Sequence, residues 1–315
     1  ALSRMTNFGD GETYWCVPYG IYQMLLFYRK DLLADAGIEA PDVWTFENIY
    51  EIGKQITDPD KGVYGFALRG GTRGFNCYDR TLFSYLSDDV WVENESYRAF
   101  TKDGGCVYRL PEAKEALEFY KRVYEDISPK DSVSWGFTEM VQGFMSGTCA
   151  ILIQDNDVIA TIEDGLDPEL WGVGNIPIGT SGFGTQTAGY GGWAMTAKTQ
   201  YPEETAKFIK FLSNAENNGY FCRQNGLIPI HTTSIEQDEY FSSGAYTIFN
   251  KMNDLGCYRI FNNLGIGYDI TATFNNDRDE YLQKYLLGEV DADTLLDYWA
   301  SQWEKAVADQ GKLWE

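Results

Sequence analysis

Apolar positions recur along most of this chain at one of two spacings. The run Gln23-Met24-Leu25-Leu26-Phe27-Tyr28 is short, aromatic and nearly unbroken, which predicts a buried strand. Apolar residues at helical spacing over 29–36, stopped by Gly37, predict a helix directly after it. Thr45 stands where an N-cap opens a helix to Ile56, and the turn cluster Asp58-Pro59-Asp60-Lys61-Gly62 feeds a strand over 64–68. Pro111 begins a helix whose Ala113, Ala116, Leu117, Tyr120 and Val123 share one face, and a helix over 137–146 ends at Gly147. Strands are expected over 150–154, 172–178 and 193–196, and a helix starts at Pro202 with Glu203 and Glu204 in its first turn. Past Pro229 the pattern is helical near 245–252, 273–287 and 292–308. Strands and helices alternate first and a helical tail follows, the order of α/β lobes rather than of a barrel.

Length and charge narrow the picture. A chain of 315 residues is long for one compact unit, so two lobes are expected. Against 25 Lys and Arg stand 47 Asp and Glu, and a net charge of −22 repels phosphates and anionic membrane surfaces. Nucleic acid is therefore a poor partner. The single histidine, His231, removes most zinc sites and most His-dependent nucleophilic catalysis, and it reads as a turn residue. Six cysteines at 16, 77, 106, 149, 222 and 257 form no CxxC pair; burial without a disulfide is the plain reading, with Cys149 a small core residue. Neither Asp155-Asn156-Asp157 nor the acidic run at 275–279 has the spacing of a calcium loop, so no metal or cofactor is expected. The glycine-rich stretch 179–189 lacks a P-loop's Lys-Ser/Thr ending and reads as a flexible surface connection. No apolar run reaches the roughly 18 residues that span a bilayer. Ala1-Leu2-Ser3-Arg4-Met5 is not a signal peptide, so either the protein is cytosolic or its start has been removed, and the lack of a Met at position 1 favours the second.

Several segments are family-like in order. They are Val17-Pro18-Tyr19, Leu26-Phe27-Tyr28-Arg29-Lys30-Asp31-Leu32, Ala36-Gly37-Ile38-Glu39-Ala40-Pro41 with Trp44, and Gly62-Val63-Tyr64-Gly65-Phe66. Phe144 to Ala150, Gly191-Gly192-Trp193, Pro202-Glu203-Glu204-Thr205-Ala206 and Asn225-Gly226-Leu227-Ile228-Pro229 follow. Together they resemble the extracellular solute-binding proteins of carbohydrate ABC importers, the maltose-binding-like family. The resemblance implies a type II periplasmic-binding-protein-like fold of two lobes, with lobe one incomplete. Residues 1–16 and 193–230 would be its remnant, and 17–192 with 231–315 lobe two and its helical tail. It also implies a non-catalytic receptor that closes on a carbohydrate and passes it to permease subunits, outside the cytoplasmic membrane and tethered by a lipid anchor upstream of Ala1. The helix after Pro202 would then lack the sheet it covers, so Phe208, Ile209, Phe211 and Leu212 must bury themselves elsewhere or be exposed, with oligomerisation or partial disorder expected.

A sugar presents hydroxyl edges and C–H faces, so its site needs flat aromatic surfaces and short polar groups. Trp193 leads the candidates, because Gly191 and Gly192 would clear the floor of a cleft beside its ring; a core tryptophan after a tight turn is the alternative. Trp135 stands next to Gly136 before a helix and could project into the same cleft. Asp155 and Asn156, at a strand end, could hold adjacent hydroxyls or cap the next helix. Arg69 ends a strand, where open α/β sheets bind ligands, though a surface ion pair fits equally. Tyr19, Tyr22, Asn76, Tyr190 and Tyr268 form a lower tier. A glycoside-acting enzyme with paired carboxylates and an adhesion or scaffold module stay open as competing functions.

Overall fold

The computed structural model describes residues 15–186, 188–260 and 264–314, apart from the side chains of Asn76, Glu95 and Ala188. Along the chain run β1 (Val17–Arg29), α1 (Lys30–Asp35), α2 (Phe46–Ile56), β2 (Tyr64–Phe66), α3 (Phe75–Tyr85), α4 (Pro111–Ile127), α5 (Phe137–Met145) and β3 (Cys149–Asp155). Then come α6 (Val158–Gly165), β4 (Trp171–Gly174), β5 (Gly184–Gln186), β6 (Ala188–Trp193), α7 (Pro202–Leu212), α8 (Ala215–Gln224), α9 (Thr232–Gln237) and α10 (Thr247–Leu255). The chain finishes with β7 (Tyr258–Ile260), α11 (Thr271–Leu286) and α12 (Ala292–Gln310).

Two compact units divide these elements. The smaller takes the described parts of Ala1–Leu25, Gln154–Pro168 and Thr187–Leu255; the larger takes Leu26–Ile153, Glu169–Gln186 and the described parts of Gly256–Glu315. Residues 17–25, 154–168, 188–192 and 231–255, grouped by sequence with lobe two, fall by this division in the smaller unit, and β1 and β3 each cross the boundary part-way along. Most of the expectation for residues 1–16 lies outside the described residues.

In the larger unit the strand order is β2-β3-β1-β4, with β2 parallel to β3 and β1 antiparallel to β4. Residues 149–153 of β3 are buried, as a strand covered on both faces must be. Thr45 caps α2 reciprocally: its hydroxyl accepts from the Asn48 N–H at 3.1 Å, and its own N–H donates to Asn48 Oδ1 at 2.9 Å. Trp44 is sealed beside Tyr28, and a Cβ on Gly174 would lie 2.3 Å from its indole, so this tryptophan serves packing. The stretch 179–186 is not a loose connection. A Cβ on Gly179 would fall 2.1 Å from the Ser84 carbonyl, and β5 pairs with β7, a strand that the helical pattern after Pro229 conceals.

The helical tail packs an aromatic core with the turn at Tyr108, where Trp299, Trp303, Phe274 and Tyr108 are almost fully buried. Within it lies an ion pair, Arg278 Nη2 at 2.5 Å from Asp79 Oδ1, both side chains sealed from water. The guanidinium also faces Phe75 at 4.1 Å and Phe274 at 4.9 Å. Tyr268 belongs to this core as well. It is 3% exposed and donates its hydroxyl to the Gly311 carbonyl, which takes it out of the candidate ligand set.

In the smaller unit, residues 17–23 of β1 pair antiparallel with β6. The strand expected over 193–196 is therefore displaced: the glycines lie inside β6, which ends at Trp193. α7 buries none of its residues. Phe208 and Phe211 are each 59% exposed, with Met195, Tyr201 and Tyr220 also open, while Ile209 and Leu212 are half-buried, so two of the four apolar residues named from sequence lie open. Exchanging Phe208 and Phe211 together for serine should lower hydrophobic-dye fluorescence several-fold and shift sedimentation toward the monomer. Stability should move by no more than about 0.5 kcal/mol, since both rings are already in water.

Cys106, Cys149 and Cys222 are buried, Cys149 in β3 as the small core residue that the sequence suggests, and the six cysteines are unlinked. His231 precedes α9, its Nε2 2.7 Å from the Ser213 carbonyl.

Candidate functional site

The smaller unit gathers seven of the sequence candidates, and three of them, with one further residue, build a surface. Tyr19 and Tyr22 are three apart on β1, and strict alternation would send them to opposite faces. The register between β1 and β6 slips between Pro18 and Gly20, so Tyr19 sits at a bulge, which re-aims it. The two hydroxyls meet at 3.2 Å.

The Tyr19 ring lies 4.8 Å from Trp193 and 5.2 Å from Phe221, and Trp193 lies 5.4 Å from Phe221, so three aromatic rings converge. All three are partly exposed. Phe221, which the sequence reading misses, is delivered by α8. That helix starts at Asn214, whose side chain accepts from the Asn217 N–H at 2.9 Å. It is fastened to the bulge by Asn218 Nδ2 and Cys222 Sγ, which donate to the Tyr19 carbonyl at 2.6 and 3.2 Å. Asn218 and Cys222, four apart and both buried, are the available signal: they mark an inward helix face with Phe221 beside it.

The role given to the glycines is corrected. A Cβ on Gly191 would come within 2.0 Å of the Tyr19 ring, and one on Gly192 within 2.6 Å of Cys16 Sγ. Side chains of this protein take the space expected for a ligand, and Gly191 is needed so that Tyr19 can lie flat on β6. Trp193 nevertheless keeps its open side.

Asn156 also has a different task. It is fully buried, its Oδ1 accepts from the Gln23 N–H at 2.7 Å, and its Nδ2 donates to the Gly226 carbonyl at 2.7 Å. An amide so engaged joins β1, β3 and the turn after α8 and has nothing left for a ligand. Its neighbours Asp155 and Asp157 are partly exposed. Burial and then the Asp155 charge push the Asp157 carboxyl up to about 7. Burial, the Tyr19 hydroxyl and the charges of Asp157 and Asp155 together hold the Tyr22 hydroxyl well above its ordinary value. Tyr190, on β6, is partly exposed.

The remaining candidates lie in the larger unit. Trp135 lays its ring over Gly143 of α5, where a Cβ would come within 2.7 Å. Arg69 is partly exposed and donates from Nε to the Thr72 carbonyl at 2.7 Å. Asn76 falls in α3, with its side chain outside the described residues. Among the described residues, no group of His, Cys, Asp and Glu could hold a metal ion, and no helix is long and apolar enough to cross a membrane.

This geometry can be set against known proteins. The profile of the family described as bacterial extracellular solute-binding protein matches residues 3–247. The chain belongs to that family. A mannitol-binding protein of Pseudomonas aeruginosa is 31% identical over 144 residues, covering 45% of this chain and 31% of that protein. The sn-glycerol-3-phosphate-binding periplasmic protein UgpB of Agrobacterium fabrum is 23% identical over 248 residues, 73% of this chain and 51% of that one. The chain thus spans about half or less of the length of the curated relatives it matches. Among solved structures, maltose-bound MalE3 of T. maritima aligns with a TM-score of 0.76 at 20% identity over 94% of this chain and 73% of that chain. A solute-binding protein of Agrobacterium vitis with bound D-mannitol aligns with a TM-score of 0.73 at 20% identity over 96% and 76%. The fold is that of the two-lobed solute-binding proteins, as the sequence resemblance implies.

Proposed function

We propose that this chain is the ligand-binding part of a non-catalytic receptor for a sugar or polyol, serving an ABC-type importer outside the cytoplasmic membrane. The observation that carries the reading is the convergence of Tyr19, Trp193 and Phe221 on one partly exposed surface, beside the Tyr19–Tyr22 hydroxyl pair. Such rings offer a flat apolar face to sugar C–H groups, while Tyr22 and Asp155 exchange hydrogen bonds with hydroxyls. Tyr190, Trp135 and Arg69 remain proposed ligand residues. Binding of maltose or D-mannitol by relatives of this fold supports the ligand class. Delivery to permease subunits and a lipid tether follow from the same reading.

Calorimetry over mono- and oligosaccharides, polyols and acidic sugars, with chromatography of the sugars afterwards, tests the reading. Saturable binding without cleavage is the expected result. Cleavage would establish a glycoside-acting enzyme instead, and the absence of any saturable small ligand would favour an adhesion or scaffold module.

A further inference from the structure

Asp157 is the one group at this surface that the receptor reading leaves unused. It stands two residues past the end of β3 and immediately before α6, where its Oδ1 is sealed from water and has no hydrogen-bond partner. Among the described residues, the backbone N–H groups of Val158 and of Asp157 itself favour its charge, and they do not outweigh its burial. The charged or titratable groups facing it are Asp155 from β3 and Tyr22 from β1, with Tyr19 behind Tyr22. From the turn after α8 comes only backbone: a Cβ on Gly226 would lie 3.0 Å from the Asp157 carbonyl oxygen. No basic side chain of the described residues contributes to holding its charge.

We propose that ligand capture at the Tyr19–Tyr22 surface is coupled to proton uptake at Asp157, so that a neutral sugar or polyol is held more tightly on the acid side of neutrality. The inference rests on the receptor reading and adds a regulation to it. A neutral ligand lying over Tyr22 and Asp155 displaces water from two neighbouring carboxylates and supplies no positive charge. Two negative charges then become harder to maintain, and the proton on Asp157 is bound more tightly in the complex than in the free protein. Its carboxyl titrates near 7 in the free protein, so affinity is full below that pH and is lost as pH rises above it. A ligand carrying an ammonium group would reverse the sign, because it would stabilise the ionised pair.

The experiment is calorimetric titration with D-mannitol and with maltose at about pH 6 and about pH 9, repeated in buffers of different ionisation enthalpy. Whichever probe binds should bind about tenfold more weakly at the higher pH, with net proton uptake near neutrality. In Asp157→Asn the affinity should be equal at both pH values and the proton uptake gone. In Asp155→Asn the fall in affinity should move to lower pH, because the neighbouring charge that discourages Asp157 ionisation is absent. If circular dichroism shows that Asp157→Asn does not fold, the Asp155→Asn profile decides. A wild-type affinity that is the same at both pH values, or an Asp157→Asn protein that keeps the full fall, would overturn the coupling and leave the receptor reading standing. Binding of neither probe at either pH would overturn the coupling and count against the receptor reading as well.

Discussion

Arg278→Met will destabilise the larger unit by about 3–5 kcal/mol, because the substitution takes the main partner from a carboxylate in a sealed aromatic core. In urea denaturation followed by circular dichroism the midpoint should fall with little change in slope, and in a thermal scan the drop should be on the order of 10 °C. The cause is the asymmetry of buried pairs. Together, Arg278 and Asp79 cancel much of each other's desolvation at 2.5 Å, and the guanidinium gains from the Phe75 and Phe274 rings. Without Arg278, Asp79 keeps only the Tyr108 hydroxyl and the Arg80 charge, which offset little of its desolvation. The double variant Asp79→Leu with Arg278→Met should therefore recover most of the loss, since an apolar pair of similar size avoids desolvation altogether. A double variant no more stable than the single one would mean that the pair contributes by filling space rather than by mutual compensation.

Trp193→Ala should weaken sugar binding by about 30-fold, on the order of 2 kcal/mol, the loss typical of an aromatic anchor. Trp193→Phe should retain affinity to within roughly threefold, because the ring still lies against Tyr19 and Phe221 and still presents a face. Tyr220→Ala is the control. Tyr220 stands on the same helix as Phe221 but is 69% exposed, and its loss should leave affinity unchanged. Calorimetric titration with the best-bound sugar of the screen reads all three. If Trp193→Ala lowers thermal stability while binding is untouched, the tryptophan is a packing residue and the ligand lies elsewhere.

Elements that carry their own local punctuation are legible in the amino-acid order alone. Lys30–Asp35 ends as expected near Gly37, which has a φ of +70°; Phe46–Ile56 begins at the Thr45 capping box; Pro111–Ile127 buries all five residues predicted for its inner face. What stays hidden is set by distant partners. The glycines of β6 look like a loop in sequence because their reason for being small, the Tyr19 ring and Cys16, lies far back along the chain. For the same reason Gly179 and Gly184 look flexible, although Ser84 and Tyr258 pack against them. Of the candidate site, Trp193, Tyr19 and Tyr22 are visible from residue type and neighbourhood. Phe221 is concealed in a mostly polar helix, and Asn156 misleads because an amide at a strand end looks the same whether it faces solvent or secures three pieces of backbone. Asp157 does not stand out from its neighbours, since only packing tells which of two nearby carboxyls has an oxygen shut off from water.

The unlinked cysteines have a practical consequence. Cys222 lies in the smaller unit and Cys106 and Cys149 in the larger, all three closed to solvent, and burial pushes each thiol above its ordinary value. A thiol-specific reagent can therefore modify them only during moments of opening. Mass spectrometry of the time course would then clock the breathing of the two units independently within a single sample, without a mutation or an attached probe.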